Sequence, residues 1–93
     1  MGEVWVVFTI VTVDYEYGIP KGFKDKVQLD KIFSAKEKAV ERANQWIDKE
    51  TSKYEYTETV EDYDYGMEIN RKYRDSNNST VTCRVTVSRH SIE

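Results

Sequence analysis

The chain is poor in the residues that carry out covalent or acid–base chemistry. Its 93 residues include one cysteine, Cys83, and one histidine, His90. A lone cysteine makes no internal disulfide, which fits a reducing, cytoplasmic compartment. One Cys and one His are too few for a zinc site. Glycine is scarce at four residues and proline occurs once. Gly18-x-x-x-Gly22 lacks the Gly-Lys-Ser/Thr ending of a phosphate loop, and no dinucleotide fingerprint exists. No apolar run approaches the roughly 18 residues of a membrane span. The longest, over 4–13, is interrupted by Thr9 and Thr12. Mean hydropathy is -0.74, and 33% of residues are charged. The apolar run follows Met1-Gly2-Glu3, without the basic start or small-residue cleavage site of a signal peptide, so it reads as a strand of the mature protein. Val6 stands where a myristoylation motif needs Ser or Thr. The overlapping sequons at Asn77 and Asn78 read as turn residues in such a chain.

What is present points to one small α+β domain spanning 1–93. Residues 4–13 are rich in β-branched and aromatic types. Val4, Val6, Phe8 and Ile10 face one way, and Trp5, Val7, Val11 and Val13 the other. A strand apolar on both faces is central or covered twice. Breakers fill 14–22. A second strand is expected over 26–33. The alternation slips between Leu29 and Ile32, so an edge position or a bulge is expected there. Ser34 and Glu37 form the pattern of a capping box. Ala35, Ala39, Val40, Ala43, Trp46 and Ile47 then recur at helical spacing, fading near 50–53. Residues 53–65 read equally well as strand or polar loop. Residues 66–74 and 81–88 alternate around the polar turn 75–79 and form a hairpin. The order β-β-α-β-β predicts an antiparallel sheet with the helix on one face. The second apolar face of the first strand, taken as Trp5, Val7, Val11 and Val13, is then expected to be buried in a homodimer.

The candidate reactive groups do not converge. Cys83 belongs to the apolar set Val81, Val85 and Val87, and so reads as core. His90 lies seven residues further along the same strand, about 23 Å away at ~3.3 Å per residue and on the opposite face. Asp62, Asp64 and Glu68 crowd together without the twelve-residue pattern of a calcium loop. The expectation is no enzyme, no metal and no cofactor.

Charge and tyrosine carry the positive signal. Residues 47–69 hold eight acids and two bases, a net of -6, and residues 70–93 hold five bases and two acids, a net of +3. The acids and bases are expected to pair in part across the hairpin, Glu68 with Arg84 or Arg89. Asp14-Tyr15-Glu16-Tyr17-Gly18 is echoed by Asp62-Tyr63-Asp64-Tyr65-Gly66, and again by Tyr54-Glu55-Tyr56. Tyrosine beside carboxylate suits basic partners through cation–π contacts and ion pairs. The first expectation is therefore a protein-binding module, of the inhibitor or immunity type. Its contacts would be Tyr15, Glu16, Tyr17, Asp62, Tyr63, Asp64 and Tyr65, and its partner another protein with a basic surface. The alternative is a binder of a nucleotide or other anion through Arg71, Lys72, Arg74 and Arg84. An oligomeric structural subunit is a third reading. A sequence pI near 5.2 disfavours direct nucleic-acid binding, and no membrane partner is expected.

The opening aromatic-valine strand, the acidic loop, and the step Ile32-Phe33-Ser34 into Glu37-Lys38-Ala39 and Ala43 resemble small uncharacterised proteins of bacteria and phages. The resemblance covers residues 4–47. It implies the strand-to-helix fold of that half and no activity.

Overall fold

A computed structural model describes residues 2–14, 23–76 and 78–92. In chain order the elements are β1 (Gly2–Asp14), β2 (Phe23–Phe33), α1 (Lys36–Thr51), β3 (Thr57–Tyr63), β4 (Gly66–Arg74) and β5 (Thr80–Ile92). The five strands make one sheet in the order β2-β1-β5-β4-β3, with every neighbouring pair antiparallel. This is the α+β architecture expected from the sequence.

The parity of β1 decides the two faces of the sheet. Trp5 and Val7 are buried, and Val11 and Val13 pack against the same core. Their neighbours on β5 and β4 are Val81, Cys83, Val85, Val87, Met67 and Ile69, all buried. α1 lays the stripe Ala39, Ala43, Ile47 and Thr51 onto this face. All four recur at a spacing of four residues, which keeps them in line along the helix. The alanines let the helix axis approach the sheet closely, while Ile47 is fully buried in the same core cluster. Val4, Val6, Phe8 and Ile10 therefore take the uncovered face. The dimer expectation named the wrong set: Trp5, Val7, Val11 and Val13 are covered by the chain's own helix. Because β1 is apolar on both sides, its periodicity alone does not say which side the helix takes.

The helix begins one residue later than the capping pattern implies. Its N-cap is Ala35, in extended conformation and without a side-chain cap bond. Phe33 is still paired with Trp5 in the sheet, so 34 and 35 are used to turn the chain onto the sheet face. The start is held by tertiary contacts instead. Lys36 Nζ donates to the Tyr63 carbonyl at 2.8 Å and meets Asp62 at 3.4 Å. Its ammonium also lies 5.7 Å from the centre of the Trp5 ring.

β2 is an edge strand and carries a bulge, as the broken alternation implied. Val7 pairs with Lys31 and Phe8 with Leu29, so Asp30 is the extra residue. The bulge turns Asp30 toward the helix, where Arg42 grips it with two bonds of 2.7 and 2.9 Å. The Arg42 hydrogen bonds hold the Asp30 carboxyl below the usual carboxylate range. The same extra residue lets Leu29 and Ile32, three apart, share the uncovered face.

β3, left open by the sequence, is a strand exposed along its whole length. Besides its ladder to β4 and the Lys36 contacts, one residue ties it to the body of the fold. Arg71 on β4 is only 8% exposed. Its Nε donates to Glu58 of β3 at 2.6 Å. Its Nη1 donates to Asp48 at 2.7 Å and to Thr51 Oγ1 at 3.1 Å, both on α1. The guanidinium lies 4.3 Å from the centre of the Tyr56 ring. Burial opposes the Arg71 charge, but the bonds to Glu58 and Asp48 outweigh it and raise the pKa above the ordinary arginine value. Arg71→Met removes these bonds while keeping much of the side chain's bulk. It should cost about 1.5–3 kcal/mol of unfolding free energy, the range for bonds to charged groups. Urea denaturation measures this. A loss under about 0.5 kcal/mol, the size of an ordinary surface change, would contradict the role assigned to Arg71.

Candidate functional site

The uncovered face is organised by strand register. Ile32, Val6, Ser88, Gly66 and Tyr63 pair in sequence across all five strands. That row is about 19 Å wide at ~4.8 Å per strand. At the β2 end the face is apolar. Val27 is 65% exposed, Leu29 50% and Ile32 57%, beside the half-buried Val4, Phe8 and Ile10 of β1. The middle is polar. Arg84 Nε donates to Asn70 Oδ1 at 2.6 Å, and Asn70 donates to Glu68 at 3.0 Å. Arg84 also lies 4.0 Å from Glu68, the cross-hairpin pairing expected from the charges. At the β3 end stand Tyr63 and Tyr65. Gly66 begins β4 beside them, where a Cβ would come within 2.2 Å of the Val87 carbonyl oxygen. That close approach accounts for glycine at the end of the second Tyr-acid-Tyr unit.

The rings of Tyr63 and Tyr65 are stacked, with centres 5.2 Å apart and planes 7° from parallel. The Tyr63 hydroxyl donates to the Glu61 carboxylate. That bond pushes the Tyr63 pKa up to about 12, so the phenol stays neutral in the physiological range. Of the expected partner-binding residues, Tyr63 and Tyr65 thus form one exposed unit with Glu61. Asp62 points to the other side of the sheet, toward Lys36, and Asp64 lies exposed in the β3–β4 turn. Tyr15, Glu16 and Tyr17 lie outside the described residues.

The expected basic set divides. Arg71 is buried on the helix side, while the register puts Lys72, Arg74 and Arg84 on the other face. Arg74 Nη1 donates to Asn78 Oδ1 at 2.9 Å. Lys72 and Arg74 instead join a feature the sequence reading missed. A cleft of about 770 Å³ lies where β4 runs past the start of β3, lined in part by Lys53, Tyr54, Tyr56, Lys72, Tyr73 and Arg74. Its sequence signal was the third Tyr-acid-Tyr echo, at 54–56. Here the two rings part company: Tyr54 stacks on Tyr73, centres 4.0 Å apart, and Tyr56 lies under Arg71.

Cys83 and His90 are placed as the strand arithmetic required. Cys83 faces the core, with Val11 and Arg71 on its flanks. His90 is exposed, its Nε2 3.0 Å from the Ser88 hydroxyl. Among the described residues, no cluster of three His, Cys, Asp or Glu side chains is placed to hold a metal ion, and no helix is long and apolar enough to cross a membrane. Comparison with family models, curated proteins and solved structures gives no match.

Burial pushes the Cys83 thiol up to about 11, Glu50 adds to the rise, and a bond from the Tyr73 hydroxyl works against it. A folded pKa above the ordinary 9.0 means that the unfolded chain releases this proton first as pH rises. Stability should therefore fall as pH climbs through the window from about 9 to about 11. Cys83→Ala should flatten that part of the slope in denaturation midpoints taken across it. An unchanged slope would show that the thiol does not titrate late. The native protein should also react slowly with a thiol reagent near pH 8 and quickly once unfolded.

Proposed function

We propose that the chain is a non-enzymatic protein-binding module, and that its binding surface is the helix-free face of the sheet. The observation that carries the proposal is the exposure of Val27, Leu29 and Ile32 beside Val4, Phe8 and Ile10 in a chain this polar. Scattered apolar side chains on a surface are ordinary. A contiguous apolar patch with a polar surround is characteristic of interaction sites. The stacked Tyr63–Tyr65 pair lies at the opposite end of the same face. Tyrosine offers a broad contact surface with few rotors to immobilise. Glu61 and Asp64 give that end negative charge, which suits a partner with a basic rim and an apolar centre. Binding of this kind would let the chain act as an inhibitor by occupying its partner's surface. The single buried thiol accords with a reducing cytoplasm.

The same face is where a second copy would dock. Sedimentation of the purified chain distinguishes self-association from capture of a different protein. The binding test compares immobilised wild-type chain with two variants, Leu29→Lys/Ile32→Lys and Tyr63→Ala/Tyr65→Ala, as baits in lysate of the native host. All four side chains are exposed, so each variant should keep the wild-type melting temperature within a few degrees. Each should lose a specifically retained protein, or reduce its recovery at least about tenfold, equivalent to ~1.4 kcal/mol. Equal recovery on both variants would rule out this face as the binding surface.

A further inference from the structure

The cleft beside the end of β4 is separate from the proposed protein-binding residues and has a different chemical character. β3 begins at Thr57, opposite Lys72, so no β3 residue faces Tyr73 or Arg74. The edge of β4 beyond Lys72 is therefore bordered by a different part of the chain. The segment between α1 and β3 crosses beside that edge and brings Lys53, Tyr54 and Tyr56 to it. Three cations line the cleft, against the single carboxylate of Glu55. In a chain of net charge -3, this is a local reversal of sign.

The aromatic rings are held as platforms. Tyr54 has one face against Tyr73 and remains 39% exposed; Tyr56 has one face against Arg71 and remains 42% exposed. A ring fixed on one side and open on the other receives a flat ligand at little entropic cost, because its rotamer is already set. Stacking on such rings suits any base, and the cations suit phosphate. The volume of about 770 Å³ falls within the range of small-molecule pockets, roughly 300–1,000 Å³.

We propose that this cleft binds a nucleoside phosphate. The base stacks on the exposed rings of Tyr54 and Tyr56. The phosphates are held by Lys53, Lys72 and Arg74. A free nucleotide fits better than a nucleic-acid strand. A strand running on from the cleft along β3 would meet Glu58, Glu61 and Asp62, whereas a nucleotide ends within the basic patch.

Isothermal titration and thermal shift on the whole chain test the proposal. The probes are the common nucleoside mono-, di- and triphosphates, a free nucleoside, inorganic triphosphate and a single-stranded octanucleotide, each at up to about 1 mM, which saturates a site of micromolar Kd. The expected result is saturable binding of at least one nucleotide. The nucleoside and inorganic triphosphate, each offering half of the recognition, should bind at least about tenfold more weakly. Lys53→Gln/Lys72→Gln should weaken the nucleotide at least about tenfold with the melting temperature of the free protein unchanged, since both side chains are exposed. The proposal is overturned if no nucleotide binds, if inorganic triphosphate binds as tightly as any nucleotide, if the octanucleotide binds more tightly than all of them, or if the double variant binds like wild type. The Leu29→Lys/Ile32→Lys variant, altered on the distant β2 end, should bind nucleotide normally, so failure of the protein-binding reading leaves this result unaffected.

Discussion

The guanidinium of Arg71 is the point on which the arrangement of this small protein turns. It is nearly buried, and its partners come from three separate places: Glu58 on the edge strand β3, Asp48 and Thr51 at the end of α1, and Tyr56 between them. Without it, β3 is left with its ladder to β4 and the Lys36 contacts to Asp62 and Tyr63. β3 is exposed at every residue and buries no apolar side chain of its own. The helix ends at Thr51, whose hydroxyl donates to the Ile47 carbonyl at 2.7 Å while accepting from Arg71. An arginine suits the position better than a lysine. Its planar fork reaches several acceptors in fixed directions and can stack on a ring at the same time. Asp48 and Glu58 keep part of their solvent contact, so the cluster avoids the full desolvation cost of a buried ion pair.

From this attachment both candidate surfaces follow. Tethering β3 completes the fifth strand and carries Tyr63 and Tyr65 to the far end of the helix-free face. Holding Tyr56 sets the segment that walls the basic cleft. The rest of the face depends on β1, which is apolar on both sides. One side is satisfied by the alanine stripe and Ile47 of α1. The other shares its surface with Val27, Leu29 and Ile32, and the chain supplies no second layer over it among the described residues. β2 reinforces the asymmetry through its bulge, which sends Asp30 to Arg42 on the helix side and leaves the apolar side chains on the other.

Much of this was legible in the sequence where a period was strong and local. The long first strand, the helix over its alanine spacing and the 66–88 hairpin all carry a clear repeat, and the slip between Leu29 and Ile32 announced the bulge. Three things were not legible, each for a physical reason. The helix start moved from Ser34 to Ala35 because the pairing of Phe33 with Trp5 and the reach of Lys36 to Tyr63 outweigh one capping hydroxyl. The covered side of β1 was assigned backwards because its two apolar sets are near-equivalent until a partner is specified. The Arg71 cluster was hidden because its acceptors lie 13, 20 and 23 residues away; the same arginine looked like part of an exposed basic patch. The tyrosine units were visible as a composition pattern, but their fates differ: Tyr63 and Tyr65 stack on each other, while Tyr54 and Tyr56 are separated onto Tyr73 and Arg71.

The central claim is that the helix-free face is where this protein meets its partner. Backbone hydrogen exchange of the chain, free and with a captured partner, tests it most directly. The account predicts slowed exchange in 27–32 of β2 and in 61–66 around the β3–β4 turn, with the outward residues of α1 unchanged. Protection confined to α1, with β2 and the β3–β4 turn exchanging as in the free chain, would contradict it.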